Sequence, residues 1–194
     1  MGNLLVIVDM VNGFINFGAL ADKNINKITP NIINLIKFAK NKDYKIVAFK
    51  DSHSKDDKEF EVFPAHCLKG TPESELIPEL KRYEGQFDYV IEKNTTNGFI
   101  TKEFYNLIKT NKFDNVVVCG CCTDICVLNF VESYLKHIKK FGVNTKIYVV
   151  ENACYTFDGK NHDAQEYHNS SLSEMKNLGA RIIRYFGNEK QNIK

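Results

Sequence analysis

The sequence has 194 residues, 43% of them hydrophobic, and its 26 basic and 24 acidic residues give a formal net charge of +2. This length and composition predict a single domain over residues 1–194 with a substantial core. The interleaved charges form no basic stripe for nucleic acid or an anionic membrane, so the expected partner is a small molecule. The six cysteines lack the spread spacing of a secreted disulfide framework, which predicts a cytoplasmic protein with reduced thiols.

The first predicted element is a strand over residues 4–8, a continuous aliphatic run that ends at Asp9. Such a run is typical of a strand buried on both faces of a parallel sheet, and it is too short to cross a membrane. Further apolar runs predict strands over 45–50, 87–92, 115–119, 145–150 and 180–185. Between the strands, apolar stripes at helical spacing predict helices over 30–41, 101–110, 124–140 and 161–178.

The alternation of strand and helix predicts an α/β fold, a three-layer α/β/α sandwich with a mostly parallel six-stranded sheet. The first strand is not followed by Gly-x-Gly-x-x-Gly, so a dinucleotide site lacks its phosphate-binding glycines. The connection over 53–86 contains three of the four prolines and little periodicity, and connections of this length are often functional. The polar tail from residue 187 is expected to be frayed.

The segment over 115–128 passes from a strand through a glycine and Thr-Asp into a helical pattern, which predicts that Cys126 lies in the first turn of a helix. The free N–H groups and the positive end of the helix dipole favour a thiolate there, with a pKa below the usual value of roughly 8.5. The same N–H groups could stabilise an oxyanion. The alternative is a buried structural cysteine.

Reactive side chains recur at the predicted strand ends. In open α/β sheets ligands bind beyond the carboxyl ends of the strands, so these side chains are expected to surround one site. A carboxylate there could take the proton of a thiol nucleophile, and an ammonium could stabilise both anions. The residues at strand ends are Asp9, Asp51, His53, Lys93 and Cys126.

Five segments share a pattern with known enzymes. They are 6–14 (Val-Ile-Val-Asp-Met-Val-Asn-Gly-Phe), 51–53 (Asp-Ser-His), 64–71 (Pro-Ala-His-Cys-Leu-Lys-Gly-Thr), 92–93 (Glu-Lys) and 120–127 (Gly-Cys-Cys-Thr-Asp-Ile-Cys-Val). Together they resemble the isochorismatase-like cysteine hydrolases, and within these the nicotinamidases. The resemblance spans nearly the whole chain.

The resemblance implies a catalytic triad of Asp9, Lys93 and Cys126. It also implies a cis peptide between Cys121 and Cys122, and an oxyanion hole formed by the backbone N–H groups of Cys122 and Cys126. Hydrogen-bond donors of this kind typically contribute a few kcal/mol each to transition-state stabilisation.

The metal site is a separate prediction. Asp51 and His53 lie two residues apart, so both side chains can point the same way from an extended segment, and His66 could close the site from the long connection. The resemblance implies a metal bound by Asp51, His53 and His66, with Glu59 as the fourth ligand and Glu61 as its competitor. Imidazoles and carboxylates suit Zn²⁺, our first candidate, or Fe²⁺, and do not exclude Mn²⁺.

The resemblance also implies substrate-binding positions. Phe14 and Phe63 are expected to sandwich a pyridine ring, and Cys121 and Thr96 to lie beside the substrate. Three positions differ from the usual nicotinamidase pattern. Thr96 stands where these enzymes often carry an aromatic residue, and Val11 and Gly13 replace a pair of polar residues. These differences bear on which substrate is bound. The three remaining histidines, assigned to helices as structural or solvated residues, are His137, His162 and His168.

The expected function is that of a metal-containing nicotinamidase, which hydrolyses a carboxamide through a Cys126 thioester. Because family members often form dimers or larger assemblies, the resemblance also implies a possible homo-oligomer. One alternative is another amidase of the same superfamily that acts on a different carboxamide or carbamoyl group. A second alternative makes the cysteine cluster over 119–126 a zinc or redox module, although its thiols span a strand end and a helix start and cannot all reach one ion.

Overall fold

A six-stranded sheet with strand order β3-β2-β1-β4-β5-β6 forms the centre of the computed structural model, which describes residues 2–185. Every pair of neighbouring strands is parallel, so the predicted sheet is confirmed. The predicted tail from residue 187 lies outside the described residues. The strands are β1 (Gly2–Val8), β2 (Lys45–Asp51), β3 (Tyr89–Lys93), β4 (Phe113–Gly120), β5 (Lys146–Cys154) and β6 (Arg181–Ile183).

Helices cover both faces of this sheet, which confirms the three-layer sandwich. In chain order they are α1 (Asn12–Ile15), α2 (Thr29–Asn41), α3 (Pro78–Lys81), α4 (Lys102–Thr110), α5 (Leu128–Phe141) and α6 (Ala164–Leu178). Helix α2 packs against β1, β2 and β5, whereas α6 packs against β5, β6 and α5. Over residues 2–185, no helix has the length and apolar content that a membrane crossing requires.

Strand β1 lies at the middle of the core. Its residues Leu4, Val6 and Ile7 are 0% exposed, because helices cover it on both faces. Burying an aliphatic side chain of this size stabilises a fold by roughly 1.5–3 kcal/mol, so this run is a main source of stability. It also holds Asp9, the next residue, at a fixed point of the sheet edge.

The strand order places the ends of β1 and β4 at a switch point of the sheet. The chain adds β2 and then β3 on one side of β1, and β4 returns to the other side. Ligands bind at such points because the connections leave in opposite directions and open a crevice. Gly120 ends β4 with φ +120°, and a Cβ there would overlap the Val8 carbonyl oxygen, so only glycine allows this close approach.

Three predicted boundaries are wrong in ways that affect the site. The predicted helix over 124–140 begins instead with a π-helical turn, Thr123–Val127, and Cys126 lies in that turn before α5 starts. Helix α6 begins at Ala164 because the Asp163 side chain caps it by accepting a hydrogen bond from the Glu166 N–H. His162 therefore precedes the helix on which it was predicted. Strand β5 extends four residues beyond the predicted end at 150.

Candidate active site

A cavity of about 250 Å³ opens beyond the carboxyl ends of the strands, as the strand-end rule predicts. Its walls combine apolar side chains with a cluster of acidic and thiol groups. The main lining residues are Phe14, Leu20, Asp22, Asp51, Glu59, Phe63, His66, Thr96, Cys122, Ile125, Cys126, Phe157 and Asp158.

The ammonium group of Lys93 lies beneath this cavity, fully buried between two carboxylates. Its Nζ is 2.8 Å from Asp9 Oδ2, 2.7 Å from Asp51 Oδ1 and 3.9 Å from Cys126 Sγ. Burial disfavours the charged ammonium, but the negative charges of the Asp9 and Asp51 carboxylates outweigh burial and hold the pKa of Lys93 well above its usual value. Lys93 is therefore a fixed positive charge at neutral pH.

Asp9 is 0% exposed and has φ +49°, in the left-handed region. Burial raises the pKa of its carboxyl to about 6, against the opposing attraction of Lys93. A carboxylate with this pKa is ionised at neutral pH yet is basic enough to accept a proton. Asp9 therefore has the properties of a general base.

The thiol of Cys126 contradicts one expectation. The position at a helix start was expected to lower its pKa, but burial raises the pKa of Cys126 well above the usual value, and the attraction of Lys93 does not compensate. Two carboxylates, Asp9 and Asp51, oppose the thiolate as well. The resting nucleophile is thus a protonated thiol that needs a base, rather than a stable thiolate.

A second cluster lies beside the first and shares Asp51 with it. One ligand atom from each of Asp51, His53, Glu59 and His66 lies within 4.8 Å of every other, as the metal prediction requires. The Asp51 Oδ2 atom is 2.9 Å from His53 Nε2 and 3.1 Å from His66 Nε2, and Glu59 Oε1 is 4.0 Å from each of these nitrogens. The competitor Glu61 is exposed and is not part of the cluster.

The partners of the two Nδ1 atoms, which face away from the cluster, indicate whether the cluster can bind a cation. His66 Nδ1 is 2.8 Å from the Pro64 carbonyl oxygen, which can only accept, so this nitrogen carries the hydrogen. His53 Nδ1 lies 3.2 Å from Asp57 Oδ2. With a hydrogen on each Nδ1 atom, both Nε2 atoms direct lone pairs towards carboxylates, an arrangement that a divalent cation between them stabilises. The residues therefore fit a metal ion.

The predicted substrate residues divide into two groups. Phe14, Phe63 and Thr96 line the cavity, and Asn129 Nδ2 holds Thr96 by donating to its hydroxyl oxygen at 3.1 Å. Cys121 is placed elsewhere, because it is 0% exposed and its thiol donates to the Asp9 carbonyl oxygen at 3.2 Å. The side chain of Cys121 therefore does not line the cavity.

The backbone at the end of β4 has the expected form. The peptide bond between Cys121 and Cys122 is cis. The following π turn is closed by the Val127 N–H, which donates to the Cys122 carbonyl oxygen at 3.1 Å. Cys122 and Cys126 consequently meet at one wall of the cavity.

Sequence reasoning missed a contact beside Phe157, another lining residue of the cavity. His162 Nε2 lies 2.7 Å from Asp124 Oδ2 in the π turn, and its Nδ1 lies 2.9 Å from the Phe157 carbonyl oxygen. The His162 ring also stacks on those of Phe157 and Tyr167, with centroids 4.0 and 3.8 Å away. This histidine ties the Phe157 wall to the turn that carries Cys126, and nothing in its local sequence indicated this. The other two were assigned correctly as structural: His168 Nδ1 is bonded to Thr123, and His137 packs among aromatic rings.

The zinc form of the cysteine-module alternative is wrong for the described residues. All six cysteines are free, and in the described part of the chain they belong to no group of metal-ligating atoms. Several thiols instead point at backbone carbonyls, Cys119 at Val6 and Cys154 at Val118. Burial raises the pKa of Cys154 to about 12, as expected for an inert core thiol.

Comparisons with known proteins agree with these motifs. The family profile described as the isochorismatase domain matches residues 3–185. Nicotinamidase 1 of Arabidopsis thaliana is 31% identical to this chain, over 92% of this chain and 84% of the relative.

Two solved structures share the fold. N-carbamoylsarcosine amidase from Thermoplasma acidophilum is 31% identical, with a TM-score of 0.79 over 97% of this chain and 99% of that chain. The pyrazinamidase of Pyrococcus horikoshii in complex with zinc is 25% identical, with a TM-score of 0.78 over 95% of this chain and 100% of that chain. The family resemblance of the motifs is confirmed: the chain belongs to the isochorismatase family of hydrolases.

Proposed function

We propose that this protein is a metal-dependent nicotinamidase, which hydrolyses nicotinamide to nicotinate and ammonia for NAD salvage. The observation that carries the proposal is the shared carboxylate of Asp51, which joins a thiol–lysine–aspartate group to a histidine and carboxylate cluster under one apolar cavity. The similarity to a plant nicotinamidase and to a zinc-bound pyrazinamidase supports it.

In this proposal Asp51, His53, Glu59 and His66 hold one divalent metal ion, with Zn²⁺ as the first candidate and Fe²⁺ or Mn²⁺ as alternatives. The bound ion would supply a Lewis-acid anchor for a ring nitrogen of the substrate. Aromatic side chains of the cavity would pack against the substrate ring. Phe14 and Phe63 line the cavity on the same side as His66, to which both rings lie close, with centroids 5.6 and 6.3 Å away.

The first half of the reaction forms a thioester. Asp9 accepts the thiol proton while Cys126 Sγ attacks the carboxamide carbon, and the backbone N–H groups of Cys122 and Cys126 stabilise the resulting oxyanion. Asp9 then returns the proton to the amide nitrogen, the C–N bond breaks and ammonia leaves. Lys93 keeps Asp9 and the reacting sulfur in place and offsets their negative charge.

The second half hydrolyses the thioester. Asp9, again ionised, accepts a proton from a water molecule whose oxygen attacks the thioester carbon. The C–S bond breaks, and Asp9 returns its proton to the sulfur of Cys126. The product acid loses its proton to water and leaves as nicotinate.

A second candidate is an amidase for carbamoyl amino acids, supported by the similarity to N-carbamoylsarcosine amidase. The cavity charge argues against it. Among the described lining residues four are acidic, Asp22, Asp51, Glu59 and Asp158, and none is lysine or arginine. A metal dication would offset two of these charges, but a substrate carboxylate would still face Asp22 and Asp158. A neutral heteroaromatic carboxamide meets no such repulsion.

Ammonia release by purified, zinc-loaded protein tests the proposed function. We expect nicotinamide to be hydrolysed with a kcat/KM at least about 100-fold above that of N-carbamoylsarcosine, a difference of roughly 3 kcal/mol that charge repulsion in a low-dielectric cavity can supply. Comparable rates on the two substrates would favour the second candidate. Undetectable turnover of nicotinamide with the metal loaded would rule the proposal out.

The raised pKa of Asp9 predicts the pH dependence of this activity. The base must be ionised to accept the thiol proton, so kcat/KM is expected to fall about tenfold per unit as pH drops below the Asp9 pKa of about 6. Rates measured in steps of about half a pH unit, with circular dichroism recorded at each step, separate this titration from unfolding. A flat profile through this range with intact structure would contradict the assignment of Asp9 as the base.

A further inference from the structure

A carboxylate outside the metal cluster contacts the far side of one of its imidazoles. His53 is 0% exposed, and its Nδ1 lies 3.2 Å from Asp57 Oδ2 in the loop that follows β2. Asp57 is not one of the four residues whose ligand atoms converge, since it meets the ring nitrogen that points away from them. Its contact is therefore with the imidazole and not with the space that the four ligand atoms surround.

The same oxygen of Asp57 is held from a second direction. Asn94 Nδ2 donates a hydrogen bond to Asp57 Oδ2 at 2.9 Å. Asn94 directly follows Lys93, the last residue of β3. The loop carboxylate is thus hydrogen-bonded to the residue that follows a sheet strand, which fixes the position of the Asp57 side chain.

This position decides what the inner nitrogen of His53 can do. The negative charge of Asp57 Oδ2, 3.2 Å from Nδ1, favours the tautomer with the hydrogen on Nδ1. That tautomer leaves the lone pair of Nε2 facing Asp51 Oδ2, 2.9 Å away. Only a nitrogen with its lone pair free binds a metal. A negative partner on the outer nitrogen also makes the inner one more basic, and outer partners of this kind typically change metal affinity by about 10–100-fold.

The two imidazoles of the cluster are held differently. His66 Nδ1 faces the Pro64 carbonyl oxygen, a neutral acceptor supplied by its own loop. His53 faces a charged group, Asp57, that Asn94, the residue after β3, holds in turn. The His53 contact can therefore be removed by mutation, whereas the His66 contact belongs to the backbone.

We propose that Asp57, held by Asn94, is a positioning residue that fixes the tautomer and ring orientation of His53 and so strengthens divalent metal binding. The inference rests on the metal site of the proposed function, and it is independent of the substrate.

Zinc affinity of the metal-free protein, measured by competition with a chromophoric chelator, tests this role. Asp57→Ala is expected to bind Zn²⁺ about 10–100-fold more weakly than the wild type. Asp57→Asn should lose less, because its amide oxygen still accepts from Nδ1, and Asn94→Ala should also lose less, because the carboxylate remains. Asp56→Ala is the matched control, since it removes the same charge from an exposed neighbouring residue, and its zinc affinity should stay within about twofold of the wild type.

Thermal unfolding of the metal-free variants separates metal positioning from folding. Asp57→Ala and Asp56→Ala should unfold at similar temperatures without metal, and added Zn²⁺ should stabilise Asp57→Ala less. If Asp57→Ala does not fold, the comparison of Asp57→Asn with Asp56→Asn serves instead. Equal zinc affinity of the Asp57 and Asp56 variants would overturn the inference. A wild type that binds no zinc would overturn it together with the metal site, whereas a protein that keeps this order of affinities but does not hydrolyse nicotinamide would overturn only the proposed function.

Discussion

Replacing Cys126 with alanine is expected to reduce nicotinamide hydrolysis by more than about 10⁴-fold, because no other group can form the thioester. The cavity itself should survive, since the side chain is small and the π turn is closed by backbone hydrogen bonds. Single-turnover assays and substrate binding to Cys126→Ala measure the two effects separately. Binding should stay within about threefold of the wild type while turnover disappears.

The neighbouring cysteine supplies the matched control. Cys122 also lines the cavity, but only its backbone is assigned a role, so Cys122→Ala should keep turnover within about tenfold of the wild type. Mass spectrometry of acid-quenched wild type should detect an acyl group on Cys126. If Cys122→Ala lost turnover as completely as Cys126→Ala, or if the acyl group lay on Cys122, Cys126 would not be the nucleophile.

The chemistry of the site could be predicted from the sequence because parallel strands gather their ends. A continuous aliphatic run before Asp9 indicates a buried central strand, and similar runs precede Asp51, Lys93 and the segment that contains Cys126. Once strands and helices alternate, all these residues must lie at the same edge of the sheet. The alternation of strands and helices predicts that these residues share one edge of the sheet, but it does not predict which strands are neighbours.

Features that depend on the strand order and on burial depth were not predictable. The sequence does not show that β4 pairs with β1, so it could not predict how close Asp9 lies to the turn that carries Cys126. Helix position suggested an acidic thiol, but the pKa of Cys126 is raised because burial outweighs the nearby lysine. Local rules describe the turn, whereas desolvation depends on everything packed around it.

Asp51 is the clearest example of a residue that has two roles in the folded chain. The sequence assigned it to the metal cluster alone, through its spacing from His53. In the folded chain one of its oxygens, Oδ1, contacts Lys93 at 2.7 Å while the other, Oδ2, faces both imidazoles. Spacing along a chain cannot reveal such a link, because it depends on the pairing of β2 with β3, which sets Asp51 opposite Lys93.

Replacing Lys93 with methionine should therefore damage stability and activity together. Methionine keeps most of the side-chain volume but leaves the buried carboxylates of Asp9 and Asp51 facing each other without a cation. Removing one partner of a buried ion pair typically costs about 3–5 kcal/mol. Urea unfolding measures the loss, and hydrolysis should become undetectable because Cys126 and Asp9 lose their counter-charge. Lys69→Met is the control, since Lys69 meets Glu92 at the same 2.7 Å but at the surface, and its removal should leave stability unchanged.

A double variant separates the two roles of Lys93. If the loss of stability arises from uncompensated charge, then Asp9→Asn added to Lys93→Met removes one carboxylate and should recover a large part of the lost free energy of unfolding. Hydrolysis should stay undetectable in the double variant, because it lacks both the base and the counter-charge. If the double variant lost as much free energy of unfolding as the two single variants together, direct coupling between Lys93 and Asp9 would be contradicted. Coupling without recovered activity is the result expected if one buried ion pair both stabilises the fold and prepares the thiol for attack.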